Sequence, residues 1–506
     1  MITMARRSLL LAGAGLPFLR PWKAARAAEG TLRYGLSAYP PNLQPWVSTG
    51  SAAGTIKLLT HRRLVGYNRE GQLEGEAADS WSLDASGAWV FRLRPDIVFH
   101  NGETLTSEDV KWTVEQVASE RSTAFMRTQF QAIERIETPD PRTIRFITKE
   151  PAATLPEWFG GYNMPIVWRG SEPREPIGAG PYRLTAQERG SSLELTAFDG
   201  YFRPGRPRLK TIRIIVYADE NLRMAALQSG EVDMIEMVPW QFMAGIEADP
   251  AFQLDAVEGP FMDVLFNGAR GPFADARVRR AVAHAIRRED IVKVAFFGRG
   301  KVLEGVPIVE GTPYWDAELS RGWNYDPARA KALLAEAGHP DGFQTTLLST
   351  AQFNMHKDTA EVVQQHLAAI GIRCELRLPD WSTRVSLGTR GQYEIAIHGT
   401  SADSNDPDGL TPVLDTNLSP SHGRSFGVKA PRTAALLARG RSELDAAKRV
   451  PIYKDMQRAA LEEVPMVGLA WRSQGFAMKS GLSGFKTLPG ALTALSVSQL
   501  EDMAFG

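Results

Sequence analysis

Cysteine is almost absent from this sequence, whose 506 residues contain only Cys374. A single thiol excludes an internal disulfide and any zinc site built from several cysteines. It also excludes a lipid anchor on a new terminal cysteine, because no cysteine follows the apolar run near the N-terminus. We expect Cys374 to be a small buried residue in a strand.

Long apolar runs are also missing. The run from Leu9 to Leu19 is too short to cross a bilayer, which takes about 20 residues. No later apolar run is long enough to cross one either. Arg6-Arg7 precedes the run, and Ala25-Arg26-Ala27 offers a small-x-small cleavage site. This pattern indicates an export signal over residues 1–27, cleaved near Ala27. The arginine pair suggests the twin-arginine route, and an ordinary Sec signal, in which such a pair also occurs, is the alternative. We expect the mature protein to be free in the periplasm, without a lipid anchor.

Neither acidic nor basic residues are in excess. The chain has 58 acidic and 58 basic residues, and the predicted signal holds five of the basic ones and none of the acidic ones. The mature chain therefore has a net charge of about −5. A mildly acidic protein without a basic stripe is a poor nucleic-acid binder, so we expect no nucleic-acid partner.

Catalytic motifs are missing as well. The sequence contains no Gly-x-Ser-x-Gly and no His-Glu-x-x-His, and its cysteine is not placed for nucleophilic chemistry. Its eight histidines show no spacing typical of metal ligands. We therefore expect neither an enzyme nor a resident metal or cofactor, and a secreted hydrolase is only a remote alternative.

The most informative stretch that is present runs from Tyr393 to Asp408. Alternating apolar residues up to Ile397 predict a strand, and the small residues and aspartates from Gly399 onward predict an ordered turn. A strand that ends in such a turn offers free backbone groups beside carboxylates, which suits an extended cationic ligand. We expect Asp403 to be the anchor. The alternatives are a turn that only satisfies its own backbone, and a calcium loop, although the glycine is one position late for the latter.

Helices and strands follow one another along the rest of the chain. Thr106 and Asp109 predict a capped helix start, while Gly230 and Gly338 predict helix ends. A further helix is predicted over Pro272–Asp290, with an arginine-rich face in solvent. The pattern is that of a mixed α/β protein.

Six groups of segments, in this order along the chain, resemble the extracytoplasmic solute-binding proteins of peptide-type ABC importers, which include dipeptide-, oligopeptide- and nickel-binding proteins. Each segment is weak alone, whereas six in the family's order behind an export signal are specific. They are Leu64 to Tyr67; Ala77 to Trp81 with Phe91 to Arg94, Phe99 to Glu103 and Asp109-Val110; Gly178 to Tyr182; Leu227 to Asp233; Phe273 to Arg279; and Tyr325-Asp326 with Ala337-Gly338.

The resemblance implies an α/β, two-lobed periplasmic-binding-protein fold of type II, in its large three-domain variant with an inserted α+β domain. Lobe I would consist of residues 29–57, 175–262 and 475–506. The inserted domain would be 58–174, and lobe II would be 263–474.

The resemblance also implies a function and a site. Such proteins capture a solute between the lobes and deliver it to an inner-membrane permease, and we expect this one to act as a monomer. In oligopeptide-binding relatives an acidic residue after a strand of lobe II pairs with the ligand's α-ammonium, and Asp403 occupies the matching position. Backbone groups of the matching Gly399, Thr400 and Ser401 would bind a peptide like an added strand. Trp381 matches a pocket tryptophan of the family, with a core role as the alternative.

One departure from the family bears on the ligand. Dipeptide-binding relatives hold the peptide carboxylate with an arginine in the segment that corresponds to Ala351–Asp358, and no arginine occurs there. Longer peptides and other amine-bearing solutes, such as opine-like compounds, therefore stay open. A carbohydrate or a metal chelate is the alternative ligand on the same fold. His398 is the one histidine expected beside the site, where a structural role is the alternative.

Overall fold

The structure is a computed structural model that describes residues 30–47, 50–172, 175–402 and 404–506. The predicted export signal, residues 1–27, and the predicted anchor Asp403 lie outside the described residues. Among the residues described, no helix has both the length and the apolar composition needed to cross a membrane.

Helices and strands are mixed along the chain. The strands are β1 (Thr31–Leu36), β2 (Val65–Tyr67), β3 (Leu73–Gly75), β4 (Ala78–Leu83), β5 (Trp89–Leu93), β6 (Ile133–Asp140), β7 (Thr143–Thr148), β8 (Tyr182–Glu188), β9 (Ser192–Ala197), β10 (Thr211–Val216), β11 (Met234–Ile235), β12 (Phe252–Phe266), β13 (Gly300–Val302), β14 (Phe343–Leu348), β15 (Ile372–Arg377), β16 (Ile395–Thr400), β17 (Val467–Lys479), β18 (Leu482–Ser483) and β19 (Ala504–Phe505).

The α-helices are α1 (Ser51–Thr60), α2 (Ser107–Ala118), α3 (Arg127–Phe130), α4 (Leu155–Trp158), α5 (Glu220–Gln228), α6 (Trp240–Ala248), α7 (Ala276–Ala285), α8 (Arg288–Ala295), α9 (Pro327–Glu336), α10 (Asn354–Ala368), α11 (Trp381–Thr389), α12 (Thr411–Leu414), α13 (Pro431–Ser442) and α14 (Ala446–Glu463). Segments of 3-10 helix lie at Pro272–Ala274, Leu319–Arg321, Pro407–Leu410 and Gly490–Asp502.

One large mixed sheet runs through the molecule. Within the described part of the chain its strand order is β15-β14-β16-β12-β17-β11-β1-β10-β9-β8, and β13 pairs with β17 at the side. Its strands are rich in β-branched and other apolar residues, as in the sequence TIRIIV of β10, which suits a pleated surface covered by helices. Cys374 lies buried in β15, as predicted.

Two long antiparallel strands, β12 and β17, are shared by both halves of this sheet. They pair over almost their whole lengths, with an irregularity between Glu258 and Phe261. A Cβ atom on Gly259 would lie 1.7 Å from the carbonyl oxygen of Gly490, so only glycine permits this backbone approach. We call the side with β1 and β8 to β11 the first half, and the side with β14 to β16 the second half.

The register of the strands brings together the carboxyl ends of the parallel strands of both halves. In the first half, β11 pairs antiparallel with β17 and parallel with β1, so both run toward the middle of β17. In the second half, β16 pairs antiparallel with β12 and ends with Thr400 opposite Phe261, and β14 and β15 run parallel to it. The loops after these parallel strands therefore face one another across the middle of β12 and β17. In open α/β sheets this position is where ligands bind, and we call it the crevice.

A separate antiparallel sheet, in the order β4-β5-β7-β6, lies outside the large sheet. Its core contains Phe91, Phe146 and Phe159 in mutual ring contact. The first half has a core of its own, to which the C-terminal residues from Leu482 to Met503 contribute. All four strands fall within the predicted inserted domain, residues 58–174, while the domain boundaries remain predictions.

Several predicted helix ends are confirmed. Asp109 accepts a hydrogen bond from the backbone amide of Thr106 at 2.9 Å, which forms the predicted capping box of α2. Gly230 and Gly338 follow α5 and α9 with φ of 78° and 88°, in the left-handed region that favours glycine.

The single helix predicted over Pro272–Asp290 is wrong. The chain forms a 3-10 turn, then α7 and α8, and the two α-helices are separated by Ile286 and Arg287 in extended backbone. The break directs Arg288 into the interior, where its side chain is 1% exposed and donates to the carbonyl of Leu303 at 2.7 Å. The arginine-rich face is therefore only partly in solvent.

Candidate functional site

The loops after β14 and β15 meet at Trp381, the first residue of α11. Its backbone amide donates to the side-chain oxygen of Gln352 at 3.1 Å. Its ring lies 5.6 Å from that of Phe353 and 5.5 Å from that of His356, between centroids. Trp381 is only half-buried, so part of its ring remains available to a ligand.

The end of β16 lies beside this aromatic group. A Cβ on Gly399 would lie 2.7 Å from Sδ of Met262 and 3.4 Å from Cε1 of His356, so a larger residue would displace the side chain of Met262. Beyond the strand, the backbone amides of Ser401 and Ala402 make no hydrogen bond to another described residue. Unpaired amides at the end of a strand can receive an extended ligand.

The structure describes four of the five residues predicted to bind the ligand. Trp381 and Gly399 are brought together through His356, which contacts the ring of the first and approaches the backbone of the second. Thr400 and Ser401 are half-buried and continue from Gly399 into the turn. The fifth residue, Asp403, lies outside the described residues.

Two histidines besides His398 belong to this group: His356 and His422 lie beside Trp381, and His398 lies beside His422. His422 is 6.0 Å from the ring of Trp381 and 6.3 Å from that of His398. Burial lowers the pKa of His422 to about 3 and holds the pKa of His356 well below its usual value, so both imidazoles are neutral near pH 7. His398 lies 3.0 Å from the carboxylate of Asp263.

Sequence reasoning missed His356 and His422 because they come from separate parts of the chain, the start of α10 and the segment between α12 and α13. Their proximity depends on the order and register of the strands, which no spacing in the sequence encodes. Neutral imidazoles suit metal binding, yet the described residues contain no group of three His, Cys, Asp or Glu side chains that could hold a metal ion.

Two aspartates of the turn after β16 form ion pairs with arginines. The carboxylate of Asp406 accepts hydrogen bonds from both terminal nitrogens of Arg449, at 2.7 and 2.8 Å. Asp408 accepts hydrogen bonds from Arg441 at 2.8 Å and from the hydroxyl of Thr154 at 2.6 Å. These carboxylates hold the turn in place, and their guanidinium partners occupy the oxygens that a calcium loop would need.

Helix α4 of the separate sheet region meets the same turn through Glu157. The carboxyl group of Glu157 hydrogen-bonds to the side chain of Ser404. Burial, and then the negative charge of Asp406, raise the pKa of Glu157 to about 8. Glu157 is therefore largely protonated at neutral pH.

The two halves of the large sheet touch directly at two places near the crevice. The side chain of Asn405 accepts a hydrogen bond from the backbone amide of Ala491 at 2.9 Å. The side-chain amide of Asn354, at the start of α10, donates to Glu220 at 3.3 Å. The structure thus has the halves in contact around the crevice.

The family model of bacterial extracellular solute-binding proteins, family 5 Middle, matches residues 72–419. This chain belongs to that family. It is thus a family 5 solute-binding protein, of the class that serves ABC importers.

Individual relatives agree with this assignment. The agropinic acid-bound binding protein AgaA from A. tumefaciens R10 is 35% identical, with a TM-score of 0.88 over 94% of this chain and 99% of that one. The glutathione-binding protein GsiB of Pectobacterium atrosepticum is 26% identical over 99% of each chain. The peptide-bound periplasmic protein DppA of Helicobacter pylori, at 22% identity, shares the fold with a TM-score of 0.83 over 94% of this chain and 98% of that one.

These findings confirm the predicted α/β fold of type II periplasmic binding proteins and the predicted family. The relatives named are binding proteins. The crevice of this chain lies at the carboxyl ends of parallel strands, the position where open α/β sheets bind ligands.

Proposed function

We propose that this family 5 protein is a periplasmic binding protein that captures an amine-bearing solute, either a peptide or an opine-like compound. It binds the solute in the crevice beside Trp381 and delivers it to an inner-membrane ABC permease. The observation that carries the proposal is a pair of backbone amides, those of Ser401 and Ala402, that bond to no other described residue and lie beyond the end of β16, near the aromatic group of Trp381.

These backbone groups would bind a solute independently of its side chains. An extended peptide that pairs with Gly399, Thr400 and Ser401 gains main-chain hydrogen bonds, as in strand addition. Trp381 would pack against a side chain or the backbone of the solute.

Asp403 would pair with the ammonium group of the solute. Its neighbours Asp406 and Asp408 support this role, because both are already engaged by arginines. A charge-assisted hydrogen bond in a closed, water-poor crevice contributes about 1.5–3 kcal/mol, whereas an exposed ion pair contributes at most about 1 kcal/mol. Closure of the halves would therefore make Asp403 an effective anchor.

The solute class draws support from the relatives. AgaA was solved with agropinic acid and DppA with the peptide STSA, and GsiB is named for glutathione. AgaA has the highest identity of these three, which favours an opine-like compound beside peptides. A carbohydrate or a metal chelate remains the second candidate ligand, with no observation in the crevice that favours it.

The setting of the protein is part of the same proposal. Residues 1–27 would direct export by the twin-arginine route and be removed near Ala27, leaving a protein without a lipid anchor in the periplasm. The mature protein would act as a monomer that closes on its solute by hinge bending and carries out no catalysis.

Native mass spectrometry of the protein purified gently from periplasm tests this function. We expect the protein to carry the mass of an opine-like compound or a series of short-peptide masses. A bound sugar or metal chelate would contradict the solute class. Conversion of added peptides or glycosides into products would contradict a pure binding role.

A further inference from the structure

Buried arginines elsewhere in this protein have backbone carbonyl groups as partners. Arg288 is 1% exposed and donates to the carbonyls of Leu303 and Gly468, at 2.7 and 2.8 Å. Arg223 is 2% exposed and likewise donates to three backbone carbonyls. The carbonyl dipoles replace much of the water that a guanidinium loses on burial, although Nη2 of Arg288 has no partner among the described residues.

Arg472 on β17 lacks this compensation. Its side chain is 5% exposed, and its hydrogen bond within the described chain goes to the neutral side chain of Gln474. Its Nε is buried without a partner, and no described carboxylate contributes to its pKa. Burial lowers that pKa to about 10, so the group is still charged near pH 7. A buried charge left unpaired is a costly arrangement that often marks a functional site.

The position of Arg472 is at the crevice. It lies on β17 opposite the irregular stretch Glu258–Phe261, in the middle of the two long strands. Since side chains alternate along a strand, Arg472 projects from the opposite face to Trp471. Two residues before it, on the same face, Ala470 pairs with Met262, whose sulfur lies against Gly399 beside His356. Arg472 thus projects from the face of the sheet on which His356 lies, and its charge contributes to the lowered pKa of His356. His356 in turn contacts the ring of Trp381.

The surroundings of Arg472 also favour an anion. His356 is 1% exposed, and its Nδ1 is buried without a partner among the described residues. It belongs to the first turn of α10, whose N-cap Phe353 provides no side-chain cap and whose first turn has no acidic residue. The amino end of a helix carries partial positive charge, which adds to that of the guanidinium.

We propose that Arg472, assisted by His356 and the first turn of α10, binds a carboxylate of the captured solute. This inference rests on the proposed function, which makes the crevice the solute site. Arginine presents two parallel N–H donors to a carboxylate, so binding would satisfy the buried guanidinium and orient the solute. With an ammonium at Asp403 and a carboxylate at Arg472, the solute is a zwitterion derived from an amino acid. An arginine on β17 would thus take the part of the one missing from Ala351–Asp358.

The first test separates the carboxylate from the rest of the solute. Titration calorimetry would compare the tetrapeptide Ser-Thr-Ser-Ala, its C-terminal amide and agropinic acid on the wild-type protein, on Arg472→Gln and on the exposed-residue control Arg373→Gln. We expect Arg472→Gln to weaken binding of the two acids by about 10- to 100-fold, with little further effect on the amide. Equal weakening of acid and amide, or unchanged binding of the acids, would overturn the proposal.

The second test does not require a known solute. Thermal unfolding of the ligand-free protein would compare Arg472→Met with Arg288→Met. If Arg472 serves a solute, its removal leaves the melting temperature unchanged or raises it, whereas Arg288→Met lowers it by several degrees or prevents folding. A fall for Arg472→Met as large as that for Arg288→Met would make Arg472 a structural residue and sink the carboxylate site. Failure of the wild-type protein to bind all three probes would instead refute the proposed solute class.

Discussion

The side chain of Asn405 accepts a hydrogen bond from the backbone amide of Ala491 at 2.9 Å, and so joins the turn after β16 to the C-terminal segment Gly490–Asp502. The turn belongs to the second half of the molecule and the C-terminal segment to the core of the first. One side chain thus links the end of the proposed binding strand to the opposite wall of the crevice.

The first prediction concerns this link. Asn405→Ala removes a hydrogen bond that contributes about 0.5–1.5 kcal/mol, so we expect solute affinity to fall by about 2- to 10-fold. The melting temperature of the ligand-free protein should change little. Titration calorimetry checks the affinity, with the exposed-residue variant Asn417→Ala as control. Equal affinity in both variants would show that the link does not stabilise the closed form.

The second prediction concerns Asp403. Asp403→Asn keeps the size of the side chain but removes its charge, so we expect an amine-bearing solute to bind about one to two decades more weakly, at about 1.4 kcal/mol per decade. An N-acetylated form of the same solute should bind the variant and the wild-type protein alike. Calorimetry on these two forms, with Asp341→Asn as an exposed control, gives the answer. Unchanged affinity for the free amine removes Asp403 from the site.

The third prediction is a pH dependence at Glu157. Burial and the charge of Asp406 raise its pKa from 4.5 to about 8, so the folded protein binds the proton more strongly than the unfolded chain does. The contribution of protonated Glu157 to stability is complete below about pH 4.5 and is lost as the pH rises through about 8. Glu157→Gln mimics the protonated form and should flatten this part of the profile.

Melting temperatures between pH 5 and pH 9 would measure this effect. The difference between Glu157→Gln and the wild-type protein should grow toward high pH, in favour of the variant. The exposed-residue variant Glu115→Gln serves as the control and should follow the wild-type profile. A difference that does not change with pH would refute the raised pKa.

The fourth prediction contrasts two ion pairs. Arg449 and Asp406 are each 9% exposed, and Arg449→Met would leave the carboxylate of Asp406 buried and unpaired. We expect this variant to lose about 3–5 kcal/mol of unfolding free energy. Arg432 and Glu462 form an ion pair in which each side chain is 59% exposed, so Arg432→Met should lose at most about 1 kcal/mol. Urea unfolding compares the two, and similar losses would contradict the argument from burial.

Local signals explain which parts of the fold could be predicted from the sequence. The capping box at Thr106 and Asp109 and the helix ends at Gly230 and Gly338 depend on a few adjacent residues. The predicted single helix over Pro272–Asp290 was wrong. The apolar pattern in the sequence continues across residues 286–287, whereas the backbone breaks there and Arg288 becomes buried. Such burial is a tertiary property.

The candidate site shows the same division. The strand and turn around Gly399 could be predicted, because period-two alternation and turn residues lie within one short stretch. The grouping of His356 and His422 around Trp381 could not, since it depends on which strands are neighbours. Arg472 looks like an ordinary strand residue until the partners of every buried arginine are compared.

The sharing of β12 and β17 by both halves limits how the molecule can move. Two adjacent strands joined by a ladder of hydrogen bonds resist sliding past each other, because sliding would break many bonds at once, but they bend and twist readily at an irregular position such as Glu258 to Phe261. We therefore expect opening to be close to a rotation about a single axis. One distance across the crevice, followed by a pair of fluorescent labels, would report the whole transition.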